Sequence, residues 1–185
     1  MRFLTPLILF ETFLMLSGTA AAQATGMNRC APQAPSCPVV ARLRTVDSRL
    51  AAIVIEASAR SRSFRQLAQT IDETDGIVYV EHGRCGHGVR ACLVAVSVAG
   101  ANRIVRVRVN AKDVDWNLMG SIGHELQHAI EVLGNSKVID AKALYFFYER
   151  IGVRRGNTFE TAAAIQAGNH VRAELRRSEF STQVP

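Results

Sequence analysis

The sequence predicts a single α+β domain in which a small antiparallel sheet lies between two helical regions. Apolar residues recur at helical spacing in the segment that ends near residue 73, and again from residue 113 onwards. Between these segments, three short β-branched runs have the period of strands. The 185 residues, less an expected leader, leave about 160, which suits one domain with its own core. We expect this domain to span residues 41–180.

The first 22 residues have the composition of a signal peptide. Arg2 provides a positive start, Phe3 to Leu16 is apolar apart from Glu11, and small residues occupy positions 17–22. The apolar run of about 14 residues is shorter than the roughly 20 needed to span a bilayer. We therefore expect cleavage, a secreted or periplasmic product, and no stable membrane span after cleavage.

Four cysteines indicate two disulfides in an exported chain. Cys30 and Cys37 lie in a proline-rich arm at residues 23–40, and Cys85 and Cys92 lie in the middle of the chain. Both pairs enclose six residues, so local pairing is the simplest of the three possible connectivities. Neither pair has the two-residue gap of a zinc ribbon, so disulfides are favoured over a metal site.

Two helices are expected before the sheet. Val46, Leu50, Ile53 and Ala57 have the spacing of one buried helical stripe. The segment 63–66, Ser-Phe-Arg-Gln, matches a capping box and predicts the start of a second, shorter helix that ends near residue 73.

Three strands are expected next, at residues 77–80, 93–98 and 104–109. Residues 100–102, Gly-Ala-Asn, form a tight connection between the second strand and the third. These runs predict an antiparallel meander, with the second cysteine pair closing the loop between the first two strands.

Three helices are expected after the sheet. Asp113 or Asp115 can cap the first helix, and the Gly-Asn pair at residues 134–135 can end it. The other two helices are expected at about 136–151 and 158–177.

The candidate chemistry is concentrated in the first of these three helices. His124 and His128 are four residues apart, so their imidazoles project from one helical face and can bind a single zinc ion. Glu125 lies beside that face, where its carboxylate can take a proton from activated water. The pattern His-Glu-x-x-His therefore predicts a hydrolytic metal site with Glu125 as general base.

This motif resembles the active-site helix of the zincin metallopeptidases, in which a sheet also precedes the helix. The resemblance extends over residues 40–177 in the order of elements, although its sharp part is Gly123 to Ala129. It implies that an edge strand, here residues 104–109 or a neighbour, holds a peptide substrate beside the metal. The metzincin branch needs a glycine and a third histidine where this chain has Glu131 and Gly134, so that branch is excluded.

The resemblance to the remaining, gluzincin branch implies a glutamate ligand from a later helix, and Glu160 is the candidate. A cap at Thr158 followed by a glutamate in the first helical turn also explains Glu160 without a metal. Asp140 is the main rival ligand, because a turn at residues 134–135 could bring its helix back towards the site. Glu131 is better placed to orient His128. Two further rivals are Glu149 and His170.

The formal net charge is +6, and the arginines are scattered rather than clustered with aromatic residues. This distribution favours a solvated basic surface over a nucleic-acid partner. The motif and the leader together predict a secreted zinc metallopeptidase that hydrolyses peptide bonds, its partner being a peptide or protein substrate. The alternative is a secreted metal- or peptide-binding module without turnover. Three residues remain candidates for stabilising the oxyanion: Tyr145, Tyr148 and His170.

Overall fold

The computed structural model describes residues 41–46, 48–156 and 158–182, and it confirms the α+β class. Within these ranges, five α-helices accompany a four-stranded mixed sheet and a small two-stranded sheet. The expected signal peptide, the proline-rich arm and the Cys30–Cys37 pair lie outside the described residues. No helix in the described ranges is long and apolar enough to cross a bilayer.

The amino-terminal half is helical, as predicted, but its elements begin at other residues. A short strand, β1 (Leu43–Thr45), precedes α1 (Ser48–Arg60) and α2 (Arg62–Asp72). The predicted capping box at 63–66 is wrong, because Ser61 caps α2 by accepting a hydrogen bond from the Phe64 N–H. Val46 lies before α1 and is exposed, whereas the other three residues of the predicted stripe are buried.

The predicted meander is wrong, because the sheet has the order β1-β2-β4-β3. Its other strands are β2 (Gly76–His82), β3 (Ala91–Ala99) and β4 (Asn102–Val109). β4 is antiparallel to β3 but parallel to β2, so it lies between them.

Connection length explains this order. The turn between β3 and β4, with Gly100 at φ +61°, is too short for anything but an antiparallel hairpin. The connection from His82 to Ala91 is longer, so β3 does not have to pair with β2 and can lie at the edge of the sheet, beyond β4. A disulfide between Cys85 and Cys92 closes this connection, as predicted.

The second half contains α3 (Trp116–Leu133), α4 (Ala141–Ile151) and α5 (Ala162–Thr182), with the hairpin β5 (Val153–Arg155) and β6 (Thr158–Glu160) between the last two helices. Asp115 caps α3 by accepting a hydrogen bond from the Leu118 N–H, which decides between the two predicted caps. The helix expected at 136–151 starts only at residue 141. The helix expected at 158–177 is wrong at its start, where the chain forms β6.

Helices α3 and α5 pack closely because glycines face the neighbouring helix. A methyl group added to Gly123 would lie 2.9 Å from Val171 Cγ2, and one added to Gly168 would lie 3.0 Å from His124 Cβ. This close approach fixes α5 against α3. It also brings the start of α5 near the histidines of α3.

A buried arginine on β4 holds the carboxyl end of α3. Arg103 makes three hydrogen bonds to the Asp75 carboxylate, at 2.7, 2.9 and 3.2 Å. It also donates to backbone carbonyls at and just beyond the end of the helix, including those of Val132 and Asn135. The Val132 and Asn135 carbonyls also accept backbone N–H groups, from Asn135 and Val138 respectively. The guanidinium bonds the Leu133 carbonyl as well, at the last residue of the helix, and its charge opposes the helix dipole.

Candidate metal centre

Two histidines on α3 present their rings to the same space. His124 and His128 are one helical turn apart, and their ring centroids are separated by 4.8 Å. Both lie in a largely buried stretch of the helix, and His128 is only 5% exposed. The four-residue spacing in a regular helix thus gives the convergence that the sequence predicted.

Glu160 completes the group from the last position of β6. Its Oε2 lies 2.9 Å from His124 Nε2 and 3.9 Å from His128 Nε2. One potential ligand atom from each of the three residues lies within 4.8 Å of the other two. The structure therefore brings together all three predicted ligands, although it supplies Glu160 from a strand and not from a helix.

This donor set fits a metal ion. Glu160 Oε2 is buried, and although His124 Nε2 lies 2.9 Å away, no described group has the geometry to donate a hydrogen bond to it, which is a costly state for a carboxylate oxygen. A cation between this oxygen and the two imidazole nitrogens would satisfy it. Two nitrogens and one carboxylate oxygen also leave a position open, as in catalytic rather than structural zinc sites. The His124, His128 and Glu160 group can therefore hold a metal ion.

Glu125 lies beside the group in a buried environment. Its Oε2 accepts a 2.7 Å hydrogen bond from the Leu93 N–H of β3, while its Oε1 lies 3.9 Å from His124 Nε2. Burial raises the pKa of Glu125 to about 7, against the opposing influence of His128 and the Leu93 bond. A carboxyl with such a pKa can both take up and release a proton near neutral pH.

A carboxylate behind His128 fixes the orientation of its ring. Glu131 Oε2 lies 2.9 Å from His128 Nδ1, and Glu131 Oε1 accepts a 2.6 Å hydrogen bond from the Thr161 hydroxyl. Because a carboxylate only accepts, the Nδ1 atom carries the proton and the Nε2 lone pair is left for a metal. This is the orienting position expected for Glu131.

The two histidines differ in their affinity for protons. Burial, and then the neighbouring His128, lower the pKa of His124. Burial also opposes protonation of His128, but the bond to Glu131 and the proximity of Glu160 outweigh it and raise that pKa to about 9. The metal-free site therefore holds a proton that a bound cation would displace.

Comparison with protein-family models, curated proteins and solved structures finds no match to this chain. Its chemistry has to be argued from the geometry above.

The rival ligands lie elsewhere. Asp140 caps α4 by accepting a 2.7 Å hydrogen bond from the Ala143 N–H, and Glu149 is exposed on the same helix. His170 lines a cavity between α2, α3 and α5 together with Gln127, outside the three-residue group. Asp140 does not join the group because its carboxylate caps α4 and is bonded to the backbone of that helix.

The two tyrosines considered for stabilising the oxyanion both contact other side chains of the protein. Tyr148 is buried and donates a 2.9 Å hydrogen bond to the His128 carbonyl, while burial and nearby carboxylates raise its pKa. Its ring also packs edge-on against the His128 ring, at 5.1 Å between centroids. Tyr145 contacts the rings of Phe146 and Phe159 and is 44% exposed. Tyr148 thus supports His128 and is not free to contact a substrate.

The strand beside the site is β3, the neighbour of segment 104–109 that the prediction also allowed. β4 is interior to the sheet, whereas β3 is its edge in the described part of the chain and packs near both α3 and α4. A register irregularity between Leu93 and Ala95 interrupts the pairing with β4 at the point where Leu93 binds Glu125. No pattern in the sequence predicts this backbone contact.

Thr161 is a second residue that sequence reasoning missed. It follows the candidate ligand Glu160 and accepts a 3.1 Å hydrogen bond from the Ala164 N–H, so it is the capping residue of α5. A threonine before three alanines is a signal for a helix start, and it could have indicated that Glu160 precedes the helix.

Proposed function

We propose that this protein is an exported zinc-dependent peptidase of the zincin type, with a gluzincin-like ligand set of His124, His128 and Glu160. The observation that supports the proposal is the buried, unsatisfied Oε2 of Glu160, which faces two imidazole nitrogens with Glu125 alongside. Two neutral nitrogens and one carboxylate oxygen suit zinc, since zinc binds both donor types in tetrahedral sites. The motif of α3 adds the general base at the position that hydrolysis requires.

Each side chain has one task in the proposed reaction. His124, His128 and Glu160 hold the ion, which when bound acts as a Lewis acid and lowers the pKa of water. Glu125 takes a proton from the attacking water and delivers it to the amide nitrogen as the carbon–nitrogen bond breaks, so that one acid and one amine are formed. The Leu93 N–H keeps the Glu125 carboxylate in place throughout.

Strand β3 is the proposed guide for the substrate. It is an exposed edge of the described sheet near α3, and an extended peptide can add to such an edge through main-chain hydrogen bonds. The exposed residues Ser97 to Ala99 at its far end leave that part of the edge open to solvent.

The proposal is tested by comparing zinc content with hydrolysis in matched variants. Wild type purified without chelators should hold about one zinc ion per chain and cleave a mixed peptide library. Glu125→Gln should keep the zinc, since the amide oxygen can still accept the Leu93 bond, while hydrolysis falls by about 10² to 10⁴. Glu149→Gln, the same change at an exposed glutamate of α4, should alter neither quantity.

Two further variants test the ligand set. His128→Ala should lose zinc, whereas His170→Ala should retain it because His170 lies outside the group. Wild type that holds zinc but cleaves no peptide would favour the non-catalytic binding module. Wild type without stoichiometric zinc after metal reconstitution would refute the metal centre itself.

A further inference from the structure

The hairpin that carries Glu160 has two chemically different faces. Its pairs are Val153 with Glu160, Arg154 with Phe159, and Arg155 with Thr158. Residues directly opposite each other on antiparallel strands project to the same side of the sheet, and successive residues alternate. Val153, Arg155, Thr158 and Glu160 therefore share one face, and Arg154 shares the other face with Phe159.

The contacts of β6 show which face is turned towards the metal centre. Glu160 reaches His124 and His128, whereas Phe159 packs against the ring of Tyr145 on α4, with ring centroids 5.6 Å apart. The face shared by Val153 and Arg155 is consequently the one beside the three-residue group.

The two β5 residues on this face, Val153 and Arg155, are open to solvent. The side chain of Val153 is 67% exposed although it lies directly opposite a candidate metal ligand. Arg155 is also exposed, and it forms no ion pair with any described acidic group. An exposed apolar side chain followed by an unneutralised cation is a surface that can bind an acidic peptide.

We propose that this face of the hairpin, Val153 with Arg155, is one wall of the substrate cleft and that Arg155 selects peptides with an acidic side chain near the cleaved bond. The inference rests on the proposed peptidase function and names its substrate class. Glu160 lies opposite Val153, and Arg155 is two residues after Val153, or about 7 Å along the strand. A peptide extended over the metal advances by a similar distance in two residues, so the selected position lies within about two residues of the cleaved bond.

The chain offers a matched pair of variants for the test. Arg155→Glu and Arg154→Glu make the same charge change at adjacent exposed positions, on opposite faces of one hairpin. Cleavage sites in a peptide library should show that wild type prefers Asp or Glu over Lys at one position by about tenfold. Arg155→Glu should remove or invert this preference, and Arg154→Glu should leave it within about twofold. The preference should also weaken at 1 M salt, where charge interactions between exposed groups are screened.

Each outcome has a distinct meaning. Zinc content, measured on both variants, identifies a loss of activity that results from displacement of Glu160. If wild type cleaves peptides without an acidic preference, or if both charge reversals change the preference equally, the role of Arg155 is wrong and the proposed function stands. If wild type holds zinc and cleaves nothing, the proposed function fails, and the substrate inference that rests on it fails as well.

Discussion

Replacing Thr161 with valine should weaken metal binding, although Thr161 itself is not a ligand. Its hydroxyl donates to Glu131 at 2.6 Å and accepts from the Ala164 N–H at 3.1 Å, and Glu131 in turn holds His128. A lost hydrogen bond to a carboxylate costs about 1.5 to 3 kcal/mol, and a lost helix cap costs about 1 kcal/mol. Since Thr161 is buried, we expect the free energy of unfolding to fall by about 3 kcal/mol.

The expected effect on the metal follows from the same contacts. Loss of a partner that orients a ligand weakens metal affinity by 10- to 100-fold, and Thr161 acts through Glu131, so about tenfold is expected. The zinc dissociation constant is measured by competition with a chelator, and stability by urea unfolding of the metal-free protein. Thr161→Ser should restore both quantities. Thr158→Val, which removes an exposed hydroxyl bonded to the Arg155 carbonyl, should change stability by less than about 0.5 kcal/mol.

A third readout does not depend on zinc. In metal-free wild type, nitrogen NMR of His128 should show the proton on Nδ1, and Thr161→Val should make that proton exchange faster with solvent. If Thr161→Val loses stability but keeps the wild-type zinc affinity and the wild-type Nδ1 signal, then Thr161 only caps α5 and the reasoning about Glu131 is refuted.

Two further predictions concern the supports of α3 and α2. Arg103→Met should lower the free energy of unfolding by about 3 kcal/mol in thermal or urea unfolding, because it removes the donor to the Leu133 carbonyl and leaves the Asp75 carboxylate without its arginine. Asp75→Asn should cost only about 1 kcal/mol because Asp75 is half exposed, and equal losses would contradict the role of the carbonyl bonds. Glu174 accepts hydrogen bonds from Ser61 and Ser63, and these bonds outweigh the effect of burial and lower its pKa. Its contribution to stability is therefore present above the unfolded-state pKa near 4.5 and is lost as pH falls through the lower folded-state pKa. The stability difference between wild type and Glu174→Gln, about 1 to 2 kcal/mol at pH 7, should therefore shrink below about pH 4.5, and a difference that stays constant down to pH 3 would contradict this assignment.

The parts of the fold that sequence predicted well depend on short-range geometry. A helix places residues four apart on one face wherever it lies, so the convergence of His124 and His128 followed from their spacing alone. The pairing of Cys85 with Cys92 followed in the same way from a short loop. The α+β class followed from the change of hydrophobic period between segments.

The errors arise where the outcome depends on distant partners. The order of the strands depends on where β3 lies in the sheet, and the alternation of its side chains does not predict that position. The β5–β6 hairpin was missed although Gly156 and the asparagine that follows are a known two-residue hairpin signal between short runs. The alanines after Thr161 gave a helical signal strong enough to extend the predicted helix back over residues 158–160. As a result Glu160, which does lie beside the histidines, was assigned to the wrong element.

The position of Glu160 on a strand changes what holds the candidate site together. Consecutive residues have different tasks, because Glu160 faces the histidines directly while Thr161 contacts the carboxylate that orients one of them. The same junction starts α5, whose glycine at 168 packs against His124. A shift of α5 along α3 would therefore displace the carboxylate, the support of His128 and the backbone beside His124 together. Metal affinity and the stability of the α3–α5 contact should consequently change in parallel, which the motif on α3 alone does not require.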